Sequence, residues 1–141
     1  MFSSTTYEEK SAWIQLLTIL GVLGAYFVKA GSMLQDGNLE LAAYAPSFMG
    51  AMVVQVIVIV GGHIFAALMA TPEKADERDH LIAWKSESRS SWIMVVGILA
   101  AISAMLLKVE VVWVAHLLLL SLCLSEILKD ALQIVAYRRG V

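Results

Sequence analysis

Residues 90–107, SSWIMVVGILAAISAMLL, form an unbroken run of 18 positions without Asp, Glu, Lys or Arg. A helix rising 1.5 Å per residue needs about 20 apolar residues, within a range of about 17–25, to cross a hydrocarbon layer about 30 Å thick. Directly before this run comes TPEKADERDHLIAWKSESR, residues 71–89, in which charged side chains dominate. No helix breaker separates the two stretches, since the next glycine is Gly97. Thr71 suits an N-cap, Pro72 the first helical position and Glu73 the first turn. The reading is therefore one helix that starts near Pro72, covers residues 72–89 outside the membrane and continues through 90–107 within it.

Charge-free runs elsewhere complete the pattern. Residues 11–28 and 41–72 are long enough to span, whereas 111–125 is short and must extend past Glu126 to cross. The predicted membrane helices are 11–29, 45–70, 90–107 and 111–137, all within a single transmembrane domain, residues 1–141. Composition agrees. Of 141 residues, 60% are hydrophobic and 16% charged, with mean hydropathy +0.78. Soluble proteins average about 45–50% apolar and about 25% charged, so an ordinary soluble domain is excluded. Disorder is excluded too, because the net charge is only −2 and aliphatic residues abound.

Orientation follows from the basic residues. Lys10, then Lys74, Arg78, Lys85 and Arg89, then Lys129, Arg138 and Arg139 fall on one side of a four-span chain, eight of the ten Lys and Arg residues. Lys29 and Lys108 fall on the other. By the positive-inside rule both termini and the 71–89 segment are cytoplasmic. The start, MFSSTTYEEK, has acids where a basic signal-peptide region belongs, so the first apolar run is expected to remain as a helix. Cys123 is the lone cysteine, which precludes a disulfide within one chain. The fold expected is all-α: an integral membrane four-helix bundle, N-in and C-in.

The links between helices differ. The first, GSMLQDGNLELAAYAPS, carries the turn residues Gly31, Asp36, Gly37, Asn38 and Pro46, with LELAAY as a short interfacial piece. Lys108, Val109 and Glu110 alone join the last two spans, which must form a tight antiparallel hairpin. Small residues at i,i+4, Gly21/Ala25, Gly62/Ala66 and Gly97/Ala101, are where membrane helices approach closely.

Polar residues within the spans are the candidates for function. His116, Cys123, Glu126, Asp130, Gln133 and Tyr137 recur at helical spacing and form a stripe that should face protein. Gln55 and His63 play that part on the second span, Gln15 and Thr18 on the first. Glu126, His63, Gln55 and His116 form the candidate intramembrane polar site. His63 and Glu126 both lie about 6–10 Å from the inner surface and are expected to be within reach of each other. Glu126 reads either as an ion or proton carrier or as the i,i+3 partner of Lys129. His63 and His116 differ in depth by about 10 Å and cannot share a metal. Met49, Met52, Met105 and His116 would suit Cu(I), with ordinary packing as the alternative. Asp76 and His80 have a divalent-ion spacing, with a solvated ion-paired face as the alternative. Walker, GxSxG, HExxH, CxxC and dinucleotide motifs are absent, so no catalytic residue is assigned and cofactors stay open.

Two segments together resemble an uncharacterised family of small bacterial four-span inner-membrane proteins. They are Asp76-Glu77-Arg78-Asp79, with Leu81, Ile82 and the Ser-rich stretch after it, and the closing Tyr137-Arg138-Arg139-Gly140-Val141. The resemblance implies the bacterial inner membrane and a link to regulation, with no activity attached. Both segments lie at the open end of the predicted hairpin, so Glu77 or Asp79 is expected to pair with Arg138 or Arg139, as a cytoplasmic network with Asp76. The leading functional reading is a regulatory or accessory membrane protein acting through its cytoplasmic charged helix. Its partners would be the lipid bilayer, further copies of itself and a cytoplasmic or membrane protein, and not nucleic acid. The alternative is an oligomeric ion or small-cation transporter or channel using Glu126 and His63.

Overall fold

The computed structural model describes residues 7–69 and 75–139, and among these there are four long helices and no strand. They are α1 (Tyr7–Gln35), α2 (Leu41–Met69), α3 (Glu77–Leu106) and α4 (Val111–Arg139), each long and apolar enough to cross a membrane. At 29 or 30 residues each extends about 45 Å, so each exceeds the hydrocarbon layer by several turns. The starts of α1 and α3 meet the ends of α2 and α4 at one end, called here the charged end; the α3–α4 hairpin lies at the other.

The charged stretch and the third apolar run are indeed one helix, but it begins later than Pro72. Asp76 is extended, with φ −90° and ψ 177°, and serves as the N-cap. Its carboxylate accepts from the Asp79 amide at 2.8 Å, and the Asp79 carboxylate accepts from the Asp76 amide at 3.0 Å. This reciprocal capping box satisfies two orphan amides at once and starts α3 at Glu77. Thr71, Pro72 and Glu73 themselves lie outside the described residues.

α1 is longer than its sequence suggested, passing through Gly31 and ending at Gln35. What stops it is Gly37, at φ +80°, whose amide bonds to Leu34 O while the Asn38 amide bonds to Met33 O. These two bonds make a Schellman closure, which calls for a left-handed residue just past the helix. The LELAAY piece is a 3-10 turn, Leu41–Tyr44, that runs straight into the rest of α2. Midway along α1, Ile19–Leu23 form a widened π turn. It follows Thr18, whose hydroxyl donates back to Ile14 O at 2.6 Å, a bond that competes with the helix's own ladder.

α3 and α4 close on a second Schellman turn, with Val109 N to Ala104 O and Lys108 N to Met105 O, both 3.0 Å. Here the left-handed residue is Lys108, at φ 57°. Their seam is lined by Ile82, Ser86, Ser90, Gly97 and Ala101, the buried residues of α3. Ser125 on α4 donates across it to Ser90 O at 3.0 Å. A Cβ on Gly97 would fall 2.0 Å from Ser121 Oγ and 2.3 Å from its Cβ, so the helices touch there. Gly62 of α2 also approaches α1 closely, its Cβ position being 2.7 Å from the Cγ2 methyl on the β-branch of Ile14. Gly21, expected to mediate packing, meets nothing within 4 Å and borders an open groove of about 820 Å³ between α1 and α2. α2 is peripheral: between Ala45 and Met69 Ala66 alone is buried. Val53, Ile57, Phe65 and Leu68 are exposed along it, a surface suited to lipid tails.

Two outcomes follow. Gly97→Ala should lower the stability of the detergent-solubilised protein by about 1–3 kcal/mol through overpacking, with recovery in Gly97→Ala/Ser121→Gly, whereas Gly21→Ala should not destabilise. Lys108→Gly should raise stability by up to about 1 kcal/mol by relieving a left-handed backbone. Unfolding in mixed micelles measures both, and a Gly97→Ala protein as stable as the parent would refute the close contact.

Candidate functional site

The polar stripe on α4 faces protein as its spacing predicted: His116, Cys123 and Asp130 are buried, and Glu126, Gln133 and Tyr137 half-buried. The structure divides it into two sites separated by apolar packing.

At the hairpin half, His116 is enclosed by aromatic rings. Its Nδ1 lies 2.7 Å from Val112 O, and since a carbonyl only accepts, Nδ1 carries the proton. Nε2 is then an acceptor, and the Tyr26 hydroxyl donates to it at 3.0 Å. Tyr44 packs edge-on at 4.9 Å and its own hydroxyl donates to Asn38 O at 2.8 Å, fixing the loop over the histidine. Tyr26 and Tyr44 were not picked out from the sequence, where lone tyrosines in apolar runs carry no pattern. Beside this cluster is an apolar recess of about 570 Å³ walled by Phe48, Met94, Ile98 and Leu122. The thioethers do not gather at His116. Met49 and Met105 are exposed, and Met52 packs against the Ile19, Leu23 and Cys123 cluster.

At the charged end, α1, α3 and α4 enclose a polar chamber of about 380 Å³. α1 contributes Glu8, Ser11 and Gln15; α3 contributes Asp79, His80 and Glu87; α4 contributes Lys129, Gln133 and Tyr137. His63 of α2 joins its wall through Ser11. His63 Nδ1 donates to Ile59 O at 2.8 Å, so Nε2 accepts, and the Ser11 hydroxyl donates to it at 2.8 Å. His63 and Glu126, expected within reach of each other, thus have different partners: Glu126 pairs with Lys129 one turn along. Gln55 contributes no pairing here, its Oε1 being buried without a hydrogen-bond partner among the described residues.

The expected ion pairs between the base of α3 and the end of α4 are replaced by another. Arg138 donates to Glu9 of α1 at 3.3 Å and lies 5.4 Å over the Trp13 ring. Asp79 is held in the capping box with Asp76, and its charge acts on Tyr137, which lines the same chamber. Glu77 and Arg139 are exposed. Asp76 likewise spends a carboxylate oxygen on capping, so its i,i+4 spacing to His80 serves the helix start. Among the described residues no three His, Cys, Asp or Glu side chains gather as a metal site.

Between the two sites lies the cluster of Ile19, Leu23 and Cys123, with Phe27, Leu119 and Ile127 packed against it. No family model matches the chain, nor does any curated protein or solved structure.

Tyr26→Phe should cost about 1–3 kcal/mol, because it leaves the buried His116 Nε2 without a donor. Ser11→Ala should cost less, since His63 is only half-buried. Thermal unfolding of the two variants gives the order, and a larger loss from Ser11→Ala would contradict it.

Proposed function

We propose that this chain is a small accessory or regulatory protein of the bacterial inner membrane, with both termini and the base of α3 in the cytoplasm. Its working surface is the charged end: the first three turns of α3 and the chamber they enclose with α1 and α4. The observation that carries this reading is that the chamber is polar and is lined at the most charged part of the chain by Glu8, Asp79, Glu87 and Lys129. A charged recess of this kind suits binding and signalling at one face. Eight of ten basic residues fall on that side, which supports its placement in the cytoplasm. The resemblance of the 76–82 and 137–141 segments to small bacterial four-span proteins points the same way.

The outer face of the α3 base is where a protein partner would dock. Ile82, Ser86 and Ser90 turn inward, which leaves Leu81, Trp84, Lys85 and Ser88 exposed on the other side. A leucine and a tryptophan at i,i+3 beside a lysine form an amphipathic strip, and tryptophan is among the residues most enriched at interface hot spots. Transport has less behind it. Glu126 is engaged by Lys129, and both nitrogens of His63 are engaged, so neither is poised to carry an ion.

A photocrosslinking residue at position 81 or 85, introduced in living cells, tests the reading. The expected product is one discrete protein adduct that Trp84→Ala reduces at least tenfold. Adducts confined to lipid, together with cation flux in proteoliposomes that Glu126→Gln abolishes, would overturn it in favour of transport.

A further inference from the structure

Asp130 is the most completely enclosed acid among the described residues, at 0% exposure. Neither carboxylate oxygen has a hydrogen-bond partner among the described residues. Other polar groups at this end are paired: Glu126 with Lys129, Arg138 with Glu9, Asp79 with Asp76, Ser125 with Ser90 and His63 with Ser11. A carboxylate sealed from water without a donor is among the costliest arrangements a side chain can adopt. Native structures avoid it by supplying a counter-charge, a donor or a proton.

The surroundings supply one cation, and it is shared. On α4 itself Lys129 acts on Asp130 as well as pairing with Glu126, so a single ammonium serves two carboxylates and hydrogen-bonds only one of them. From α3 the charged group that acts on Asp130 is Glu87, another acid. From α1 the side chains at this level are Ser11 and Gln15, with Glu8 on the chamber and Glu9 held by Arg138. From α2 the nearest titratable group is His63, tied to Ser11 and Ile59. Nor is there space for a hydrated ion at the carboxyl, since each oxygen is closed to solvent. The one cation that needs no cavity is a proton.

We propose that Asp130 is a proton-binding site built into the packed charged end, exchanging its proton when the packing around it relaxes. A proton from water then forms an O–H bond on one carboxylate oxygen, water is released from the hydronium, and the seam gains one positive charge. With the proton bound, the seam is neutral at Asp130 and the helices pack as observed. When the proton leaves, a second uncompensated negative charge stands beside Glu87 and drives α3 and α4 apart at the charged end. This makes the chamber's shape depend on proton availability. The proposal stands on the burial of Asp130 and not on the accessory reading, so the absence of a crosslinked partner would leave it intact.

Infrared spectroscopy of the full chain in nanodiscs tests it without any substitution. Incorporation of [4-13C]aspartate shifts the stretches of aspartate carboxyls alone, and Asp36, Asp76 and Asp79 are exposed or half-exposed. The expected result is an isotope-shifted stretch of a protonated carboxylic acid at pH 7, lost on raising the pH and lost in Asp130→Asn. Absence of that band at pH 7 overturns the proposal. So does a band that persists in Asp130→Asn. A melting temperature that rises with sodium but not with choline, without the band, overturns it in favour of a metal cation. Hydrogen exchange provides the second readout. Residues 77–90 should lose protection between pH 7 and 9, beyond the intrinsic rate change, in the parent but not in Asp130→Asn; equal loss in both overturns the opening step.

Discussion

Gly97 and Ser121 meet with no room for one added carbon, and the placement of polar groups along α3 and α4 follows from that contact. In a lipid environment helices gain no hydrophobic drive from association, so van der Waals contact and hydrogen bonds must hold them together. Close approach at Gly97 supplies the first, and the Ser125 hydroxyl on Ser90 O supplies the second further towards the charged end. Three serines and a glycine thus fix the register of the hairpin. That register, continued, places Glu87 of α3 against the Glu126, Lys129 and Asp130 turn of α4. The charged end is a consequence of the seam and not a separate assembly.

The two intramembrane histidines illustrate how a polar residue can be needed without being reactive. Each donates from Nδ1 to the carbonyl four residues earlier on its own helix and accepts at Nε2 from a hydroxyl on α1. The repeated geometry ties α1 to α2 at Ser11–His63 and to α4 at Tyr26–His116. Both histidines therefore link neighbouring helices, with both ring nitrogens hydrogen-bonded.

Much of this was legible in the sequence because it depends on runs and periods. Charge-free stretches located the four spans, the three-residue link at 108–110 required a hairpin, and the spacing of His116, Cys123 and Asp130 marked the inward face of α4. The pairing of Glu126 with Lys129 followed from i,i+3 spacing alone. What escaped depends on relations across the chain. Arg138 turns to Glu9 because Asp79 is occupied in a cap, and only the packed geometry decides which acid is free. Tyr26 and Ser11 acquire meaning from residues 90 and 52 positions away. The start of α3 was misplaced because Thr71-Pro72 and the box of Asp76 and Asp79 are signals of the same kind, and the reciprocal pair caps α3. Gly21 matched a packing motif, but a small residue permits close approach without requiring it.

The length of the helices explains why charge accumulates where it does. α3 has 30 residues, about 45 Å, of which the 17 charge-free positions 90–106 account for about 26 Å. About 20 Å of helix therefore extends past the apolar layer with its acids and bases in contact with water. α4 carries its Glu126 and Lys129 pair at the depth where that layer ends, and mutual neutralisation makes the position tolerable. Asp130 comes one residue later and should by depth alone be hydrated. It is instead sealed, because α1 and the base of α3 continue beyond the apolar layer and pack around it. Water is excluded there by protein and not by lipid. A carboxyl buried by protein next to a water-accessible chamber can exchange protons whenever the packing relaxes, whereas one buried in lipid cannot. Asp130 differs from Glu9, the other acid buried at this end among the described residues, in having no hydrogen-bond partner, and its enclosure arises from two helices being longer than the membrane requires.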